Sequence, residues 1–422
     1  MKPISAAKGF KSIQFQRIAS FPTQCAYLFL IILRDIGIIL SLIPYGLDFM
    51  KKSRLVIFIS LLFISACTAP FQSKPDKVNG ERNAEIINTA TSTIEPSDTP
   101  TITPTSSPTA TQIPPSITPT PQEITFFSSG ALRTGIMPVP YIEDTCRYLK
   151  NRWGEGKSTP GTIVVPIMFH SVVKPGRQIN NNSDMSLSGF EYLMVKAKDM
   201  GFSTVTIEEL ISFLNANEKI PERSLLLILD DRRPGVTEEY FMPYLESYDW
   251  TLTLAWLTTE LTSDYTWDRM ERLAKSGKLD VQSHGHNSVY IQSYTPIEVV
   301  EEELFSPLEI IQEHFGTIPQ AHIWSGGNFT EQSVEIAHEA GYQVGFTAYS
   351  RGPLLFNWIP QGEKELSVGD PLLLLPRYWS PDLDVPLYHA LEISEEAQQF
   401  AEAVKEEELR FIDLYCQDQE GD

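Results

Sequence analysis

Positive charge is scarce in this sequence. Lysine and arginine number 33 against 54 acidic residues, for a net charge of −21. No basic stripe interrupts that balance, so a nucleic-acid partner is excluded. A clean membrane span is also missing. The most apolar stretch, Cys25 to Leu47, carries Arg34 and Asp35 at its middle, where charges cost several kcal/mol. Cysteine is limited to four residues. Cys25 and Cys67 fall in the N-terminal region, leaving Cys146 and Cys416 near the two ends of the remaining chain. In an exported protein that pair could close a disulfide, or it could remain as two buried thiols.

From Thr89 to Gln122 it is apolar side chains that run short, and the segment is built of Thr, Pro and Ser. It has little to bury and its prolines favour extension, so a solvated, semi-rigid stalk is expected over residues 68–125. Upstream, "MKKSRLVIFISLLFISAC" reads as a secretory signal: Lys51, Lys52 and Arg54, then an apolar run from Leu55 to Ala66, then Cys67. The ending "ISAC" resembles a bacterial lipobox, in which the Cys takes the lipid and becomes the new N-terminus. Residues 1–67 are therefore expected to be a targeting region, with lipid-anchored Cys67 facing the extracytoplasmic side of the cell membrane. Because a complete signal restarts at Met50, translation is expected to begin there and residues 1–49 to be untranslated.

Residues 126–422 are of a size for one α/β domain. Strand-like and helix-like segments alternate along it. "TIVVPIMFH" is a buried strand ending at His170, and "SGFEYLMVKAKDMG" a helix opened by Ser188 and stopped by Gly201. "SLLLILDDRRPG" begins as a strand with five apolar residues, Leu225 to Leu229, and runs without a spacer onto Asp230 and Asp231. "TEEYFMPYLESY" follows as a helix with Thr237 as its expected N-cap. Further strands are read at "TLTLAWLT", "LDVQSHGH", "QAHIWSGG", "YQVGFTAYS" and "DPLLLLPRYW". Pro307 is expected to break or kink the long helix before "QAHIWSGG". Repeated strand–helix units call for a parallel sheet, most simply closed into a barrel. Such a barrel has no free sheet edge that would demand an obligate protein partner.

In such barrels the working residues sit at the C-terminal strand ends. Those ends collect His170, Asp230, Asp231, His284, His286, Trp324, Ser325 and Arg377. Singly, His170 could be a hydrogen-bonded core histidine, "SHGHN" a polar loop and Arg377 a structural arginine. Their joint placement points instead to a site. Adjacent buried carboxylates are costly unless paired, metal-bound or catalytic.

In their order along the chain, these motifs resemble the polysaccharide deacetylases, the NodB-homology or carbohydrate esterase family 4 group. The likeness runs from about Ile163 to Arg377: "VVPIMFHSV" for the first strand, "LILDDRRPG" for the paired acids, "VQSHGHNS" for the metal motif and "LLPRYW" for a late Pro-Arg strand. The resemblance implies a distorted (β/α) barrel, a divalent metal (zinc is expected) and an N-acetylated polysaccharide substrate. Asp230 would be the general base toward a water activated by the metal, and Asp231 and His284 would be metal ligands. Arg377 would hold Asp230 ionised. His389, in "PLYHAL", would protonate the leaving amine. The family's second metal histidine falls on Ser288, so His286 is the expected substitute; Arg232 replaces a glycine, and "IWSGG" replaces an Arg-x-Pro-Tyr-Gly motif. His170, Trp324, Ser325 and Trp379 are expected to line the substrate cleft, with Trp256 as a further aromatic. Two readings follow, a surface-tethered deacetylase of envelope or extracellular glycans, or a non-catalytic glycan-binding lipoprotein on the same barrel.

Overall fold

The computed structural model describes residues 124–416. The expected targeting region, residues 1–67, and the expected stalk up to residue 123 lie outside the described residues. Seven strands form the central sheet: β1 (Ile163–Phe169), β2 (Arg223–Asp230), β3 (Leu252–Trp256), β4 (Leu279–Ser283), β5 (Ala321–Ile323), β6 (Val344–Phe346) and β7 (Tyr378–Trp379). Their spatial order is β6-β5-β4-β3-β2-β1-β7, and a two-residue strand at Ser203–Thr204 pairs beside β2. All neighbours run parallel. The sheet returns on itself through one short segment: Leu375 bridges Phe346, while Tyr378 and Trp379 pair with Ile167 and Met168. The expected barrel is what forms, distorted where β5, β6 and β7 are only two or three residues long.

Strand alternation divides the core in two. In β2, Leu225, Leu227 and Leu229 face the outer helices, while Leu226 and Ile228 face the barrel interior with Val164, Ala255, Ile323 and Phe346. The outer layer comprises α1 (Thr145–Trp153), α2 (Leu187–Asp199), α3 (Ile207–Ala216), α4 (Met242–Tyr248), α5 (Asp264–Ala274), α6 (Ile297–Phe315), α7 (Glu331–Glu339) and α8 (Val385–Tyr415). Helix α3 starts with a capping box, in which Thr206 and Glu209 satisfy each other's backbone amides. It buries Leu210, Phe213 and Leu214 in the interior cluster. Among the described residues no helix is long and apolar enough to cross a membrane.

Several local expectations need correction. Ser186, not Ser188, caps α2, because its hydroxyl reaches the Gly189 amide at 3.1 Å. Thr237 is not an N-cap. The helical run already begins at Pro234, whose fixed φ suits a first turn, and the Thr237 hydroxyl donates to the Arg233 carbonyl inside it. Helix α6 continues through Pro307. "DPLLLLPRYW" is not one strand: Leu372–Leu374 form a 3₁₀ turn, and only Tyr378–Trp379 are extended in the sheet. Cys146 and Cys416 are joined in a disulfide, tying α1 to the end of α8.

Candidate active site

The strand alternation that builds the core also aims the site. Asp230 continues the inward series Leu226–Ile228, and Arg377 continues inward from Leu375. Val281 faces outward, so His284 at the end of β4 follows the inward face. His170 directly follows β1. Side chains from four strand ends therefore converge at one mouth of the barrel.

Asp230 and Arg377 are each only 1% exposed. Arg377 Nη1 donates to Asp230 Oδ1 at 2.6 Å, and its Nε donates to the Thr347 carbonyl at 2.9 Å. Burial alone would raise the Asp230 carboxyl, but Arg377, His284 and His170 outweigh it and hold the group below its ordinary range. His170 Nε2 lies 3.6 Å from Asp230 Oδ2, and its side chain is 27% exposed. Burial lowers the His170 imidazole and Arg377 adds to this, against the pull of Asp230.

Asp231 takes the left-handed conformation at φ 68°, which aspartate tolerates better than most side chains. This turn separates the adjacent carboxylates, and Asp231 Oδ1 lies 3.9 Å from His284 Nε2. The partner of His284 Nδ1 is the Ile323 carbonyl at 2.8 Å. A carbonyl only accepts, so Nδ1 carries the proton and Nε2 presents a free lone pair toward Asp231. These two donors fit one divalent cation: bonds of about 2.0–2.2 Å from each span such a separation at a wide angle. The third donor is not in place. His286 Nδ1 is 3.0 Å from the Thr258 hydroxyl, and Ser288 occupies the other position. Among the described residues, no group of three or more His, Cys, Asp or Glu side chains forms a metal cage.

Sequence reasoning missed the support for this loop. Glu303, on the inner face of α6, accepts from the amides of His286, Asn287 and Val289 at 3.1, 2.7 and 3.4 Å. Gly285, at φ 90°, passes so close that a Cβ there would lie 2.3 Å from Glu303 Oε2. The signal was an acid among the buried positions Val300, Leu304 and Pro307. A second missed support stands behind Arg377. Arg351 donates to the Thr347 hydroxyl and the Leu374 carbonyl, and it pairs with Glu365 at 2.9 Å.

The structure separates other predicted residues from the cluster. Trp324 is fully buried on the outward face, its Nε1 donating to the Leu373 carbonyl, so it is no cleft platform. Trp256 is likewise buried in the outer core. Trp379 is half-buried, with Nε1 donating to the Ala348 carbonyl. The Ser325 hydroxyl donates to the His284 carbonyl, which makes it part of the support. His389 lies outside: Tyr378 points away from Arg377 into the outer core, and both His389 ring nitrogens are engaged, by the Tyr378 hydroxyl and the Ala131 carbonyl.

Comparison with known proteins agrees with the motifs. A family model described as polysaccharide deacetylase matches residues 217–345. A putative polysaccharide deacetylase of Bacillus subtilis (strain 168), YxkH, is 23% identical over 185 residues, covering 43% of this chain and 63% of that protein. The match thus spans less than two thirds of that relative's length. Among solved structures, the Streptococcus pyogenes deacetylase PplD in complex with acetate superposes with a TM-score of 0.44 and 21% identity, covering 52% of this chain and 92% of that one. The putative polysaccharide deacetylase BA0330 from Bacillus anthracis gives 0.40 and 19%, with coverages of 51% and 64%. Asp230, Asp231 and His284 all fall inside residues 217–345, the segment that is similar to the polysaccharide deacetylase family model.

Proposed function

We propose that this protein hydrolyses N-acetyl groups from an envelope or extracellular polysaccharide. The observation that carries the reading is a buried, ionised Asp230, held by Arg377 and set beside Asp231 and His284 at the open end of the barrel. Asp231 and His284 would hold a divalent cation, with zinc the expected ion. When bound, it supplies polarisation of the amide carbonyl. Asp230 has no proton of its own at neutral pH, so it can accept one from the attacking water. As the new C–O bond forms and the C–N bond breaks, the departing nitrogen needs a proton. His170 takes the role first expected of His389: its Nε2 lies 3.6 Å from Asp230 Oδ2, so it would receive the proton that Asp230 took from the water and pass it to that nitrogen, leaving Asp230 ionised again. Acetate and a free amine on the sugar are the products. In this reading Cys67 carries the lipid that holds the domain on the extracytoplasmic side of the cell membrane, and the Thr/Pro/Ser segment is the tether; the order of basic, apolar and small residues supports it.

The test is acetate release from N-acetylglucosamine oligomers with zinc, cobalt, manganese or nickel supplied. Asp230→Asn should lower release by about 10²–10⁴-fold, because the amide keeps the shape but cannot take the proton. Its metal affinity should stay near that of the wild type, whereas Asp231→Asn should bind metal more weakly. The incomplete donor set favours one alternative, a non-catalytic glycan binder. Wild-type protein that binds the oligomers yet releases no acetate with any of these metals would establish that alternative.

A further inference from the structure

Beside the carboxylate pair, the chain has Arg232 and Arg233 where the family motif has a glycine and a variable position. Both line a surface groove with Leu261, Ser263 and Thr266, and Asp231 is part of the same lining. The groove therefore shares Asp231 with the candidate active site. Arg232 Nη1 donates to the Thr262 hydroxyl at 2.9 Å, and among the described residues no carboxylate pairs with it. Arg233 uses Nη2 on Asp231 Oδ2 at 3.1 Å, and its Nε is buried without a hydrogen-bond acceptor. In a chain of net charge −21, a groove lined by two arginines and one carboxylate, with Arg232 left without an acidic partner among the described residues, is a local reversal of sign. Guanidinium groups match the oxygens of carboxylate or phosphate in a fork geometry. The Ser263 and Thr266 hydroxyls are already hydrogen-bonded to each other at the N-terminus of α5, so it is the apolar face of Leu261, 84% exposed, that suits a sugar ring.

We infer that this groove binds an anionic substituent, a carboxylate or a phosphate, on a sugar neighbouring the N-acetylated residue, so that the preferred glycan is acidic. The inference rests on the deacetylase reading for the identity of the neighbouring sugar, but its readout is binding rather than turnover. The overall negative charge would repel an acidic glycan at long range. Arg232, beside Asp231 and without an acidic partner among the described residues, supplies a local attraction, which makes recognition dependent on salt.

Calorimetry on the full lipid-free domain with its stalk would compare three probes: chitohexaose, a hyaluronan hexasaccharide as the carboxylate source, and a 6-phosphorylated N-acetylglucosamine oligomer as the phosphate source. At low salt at least one anionic oligomer should bind roughly tenfold tighter than chitohexaose. The advantage should shrink at about 0.5 M salt, where the screening length is only a few ångströms. Arg232→Gln should abolish most of the preference. Arg232→Lys should keep more of a phosphate preference than of a carboxylate one, since lysine retains the charge but not the fork. Equal binding of the neutral and anionic probes, or a preference that survives Arg232→Gln, would overturn the inference. Acetate release from chitohexaose, measured on the same samples, separates the two claims. Release without any anionic preference removes this inference alone, and a preference without release removes the deacetylase reading alone.

Discussion

His322 shows how a single side chain couples this barrel to pH. It lies on the outward face of β5, 2% exposed, with Nδ1 3.2 Å from the Ser283 hydroxyl. Burial, with a smaller push from His284, lowers its pKa to about 3. An unfolded histidine titrates near 6.5, so below that pH the unfolded chain binds a proton that the folded one refuses. Stability is then complete above about pH 6.5 and falls as pH drops toward 3, by about 2 kcal/mol between roughly pH 7.5 and pH 5. Urea denaturation at those two pH values should show that loss in the wild type, with a smaller pH slope in His322→Gln; identical slopes would remove His322 as the cause. The residue scale is also where the sequence was most readable. Asking which side chains close the strands found Asp230, His284, Arg377 and His170. The same period of two, pushed one step further, rejects Trp324, since it neighbours inward-facing Ile323 and must point outward. His389 could not be judged that way. Its exclusion depends on the Tyr378 hydroxyl, whose outward direction is set by the sheet, and on the Ala131 carbonyl, 258 residues away in sequence.

Elements hold the site by buried polar contacts that run from helix to loop. The clearest is the Glu303 clamp, whose two oxygens receive three amides of the loop after β4. Glutamine at this position offers one accepting oxygen, so at least one buried amide would lose its partner, at about 1–3 kcal/mol. Glu303→Gln should therefore lower the urea midpoint, and hydrogen exchange should speed up at residues 286–289 while β2 keeps its protection. Unchanged exchange in that loop would mean that Glu303 does not hold it. Long strands were legible because their apolar runs are continuous, as in β1 and β2. The segment "DPLLLLPRYW" was not, because four leucines satisfy a strand or a 3₁₀ turn equally. The turn wins through local chemistry: Asp370 Oδ1 accepts from the Leu373 amide, and Pro371 precedes the turn. The Arg351–Glu365 pair was hidden for a similar reason. Its purpose depends on Thr347 and Leu374 being brought together by barrel closure.

At the scale of the whole domain, closure is completed late in the chain. The segment from Leu375 to Trp379 spans the gap between β6 and β1, and α8 then lays Leu387, Ala390, Ile393 and Ala397 against the outer core. Asp230, the proposed general base, therefore depends on its partner Arg377, which comes from the closing segment, 147 residues away in sequence. The Cys146–Cys416 disulfide fastens the far end of α8 to α1 across a sequence separation of 270. A loop that long gives a large loss of unfolded-state entropy on cross-linking, about 6 kcal/mol by chain statistics, while removing a native disulfide from a small domain typically costs about 2–5 kcal/mol. The Cys146→Ser, Cys416→Ser double variant should melt at a lower temperature than the oxidised wild type, and reduction of the wild type should move it toward the variant. Exchange should rise first in the last turns of α8, where the tie is lost, and only later in β1 and β2, which are buried along their length. If the variant melts with the wild type while mass measurement confirms that the wild-type bond is formed, the disulfide contributes nothing to holding the closing helix in place. The packing of Leu387 to Ala397 would then have to do so unaided.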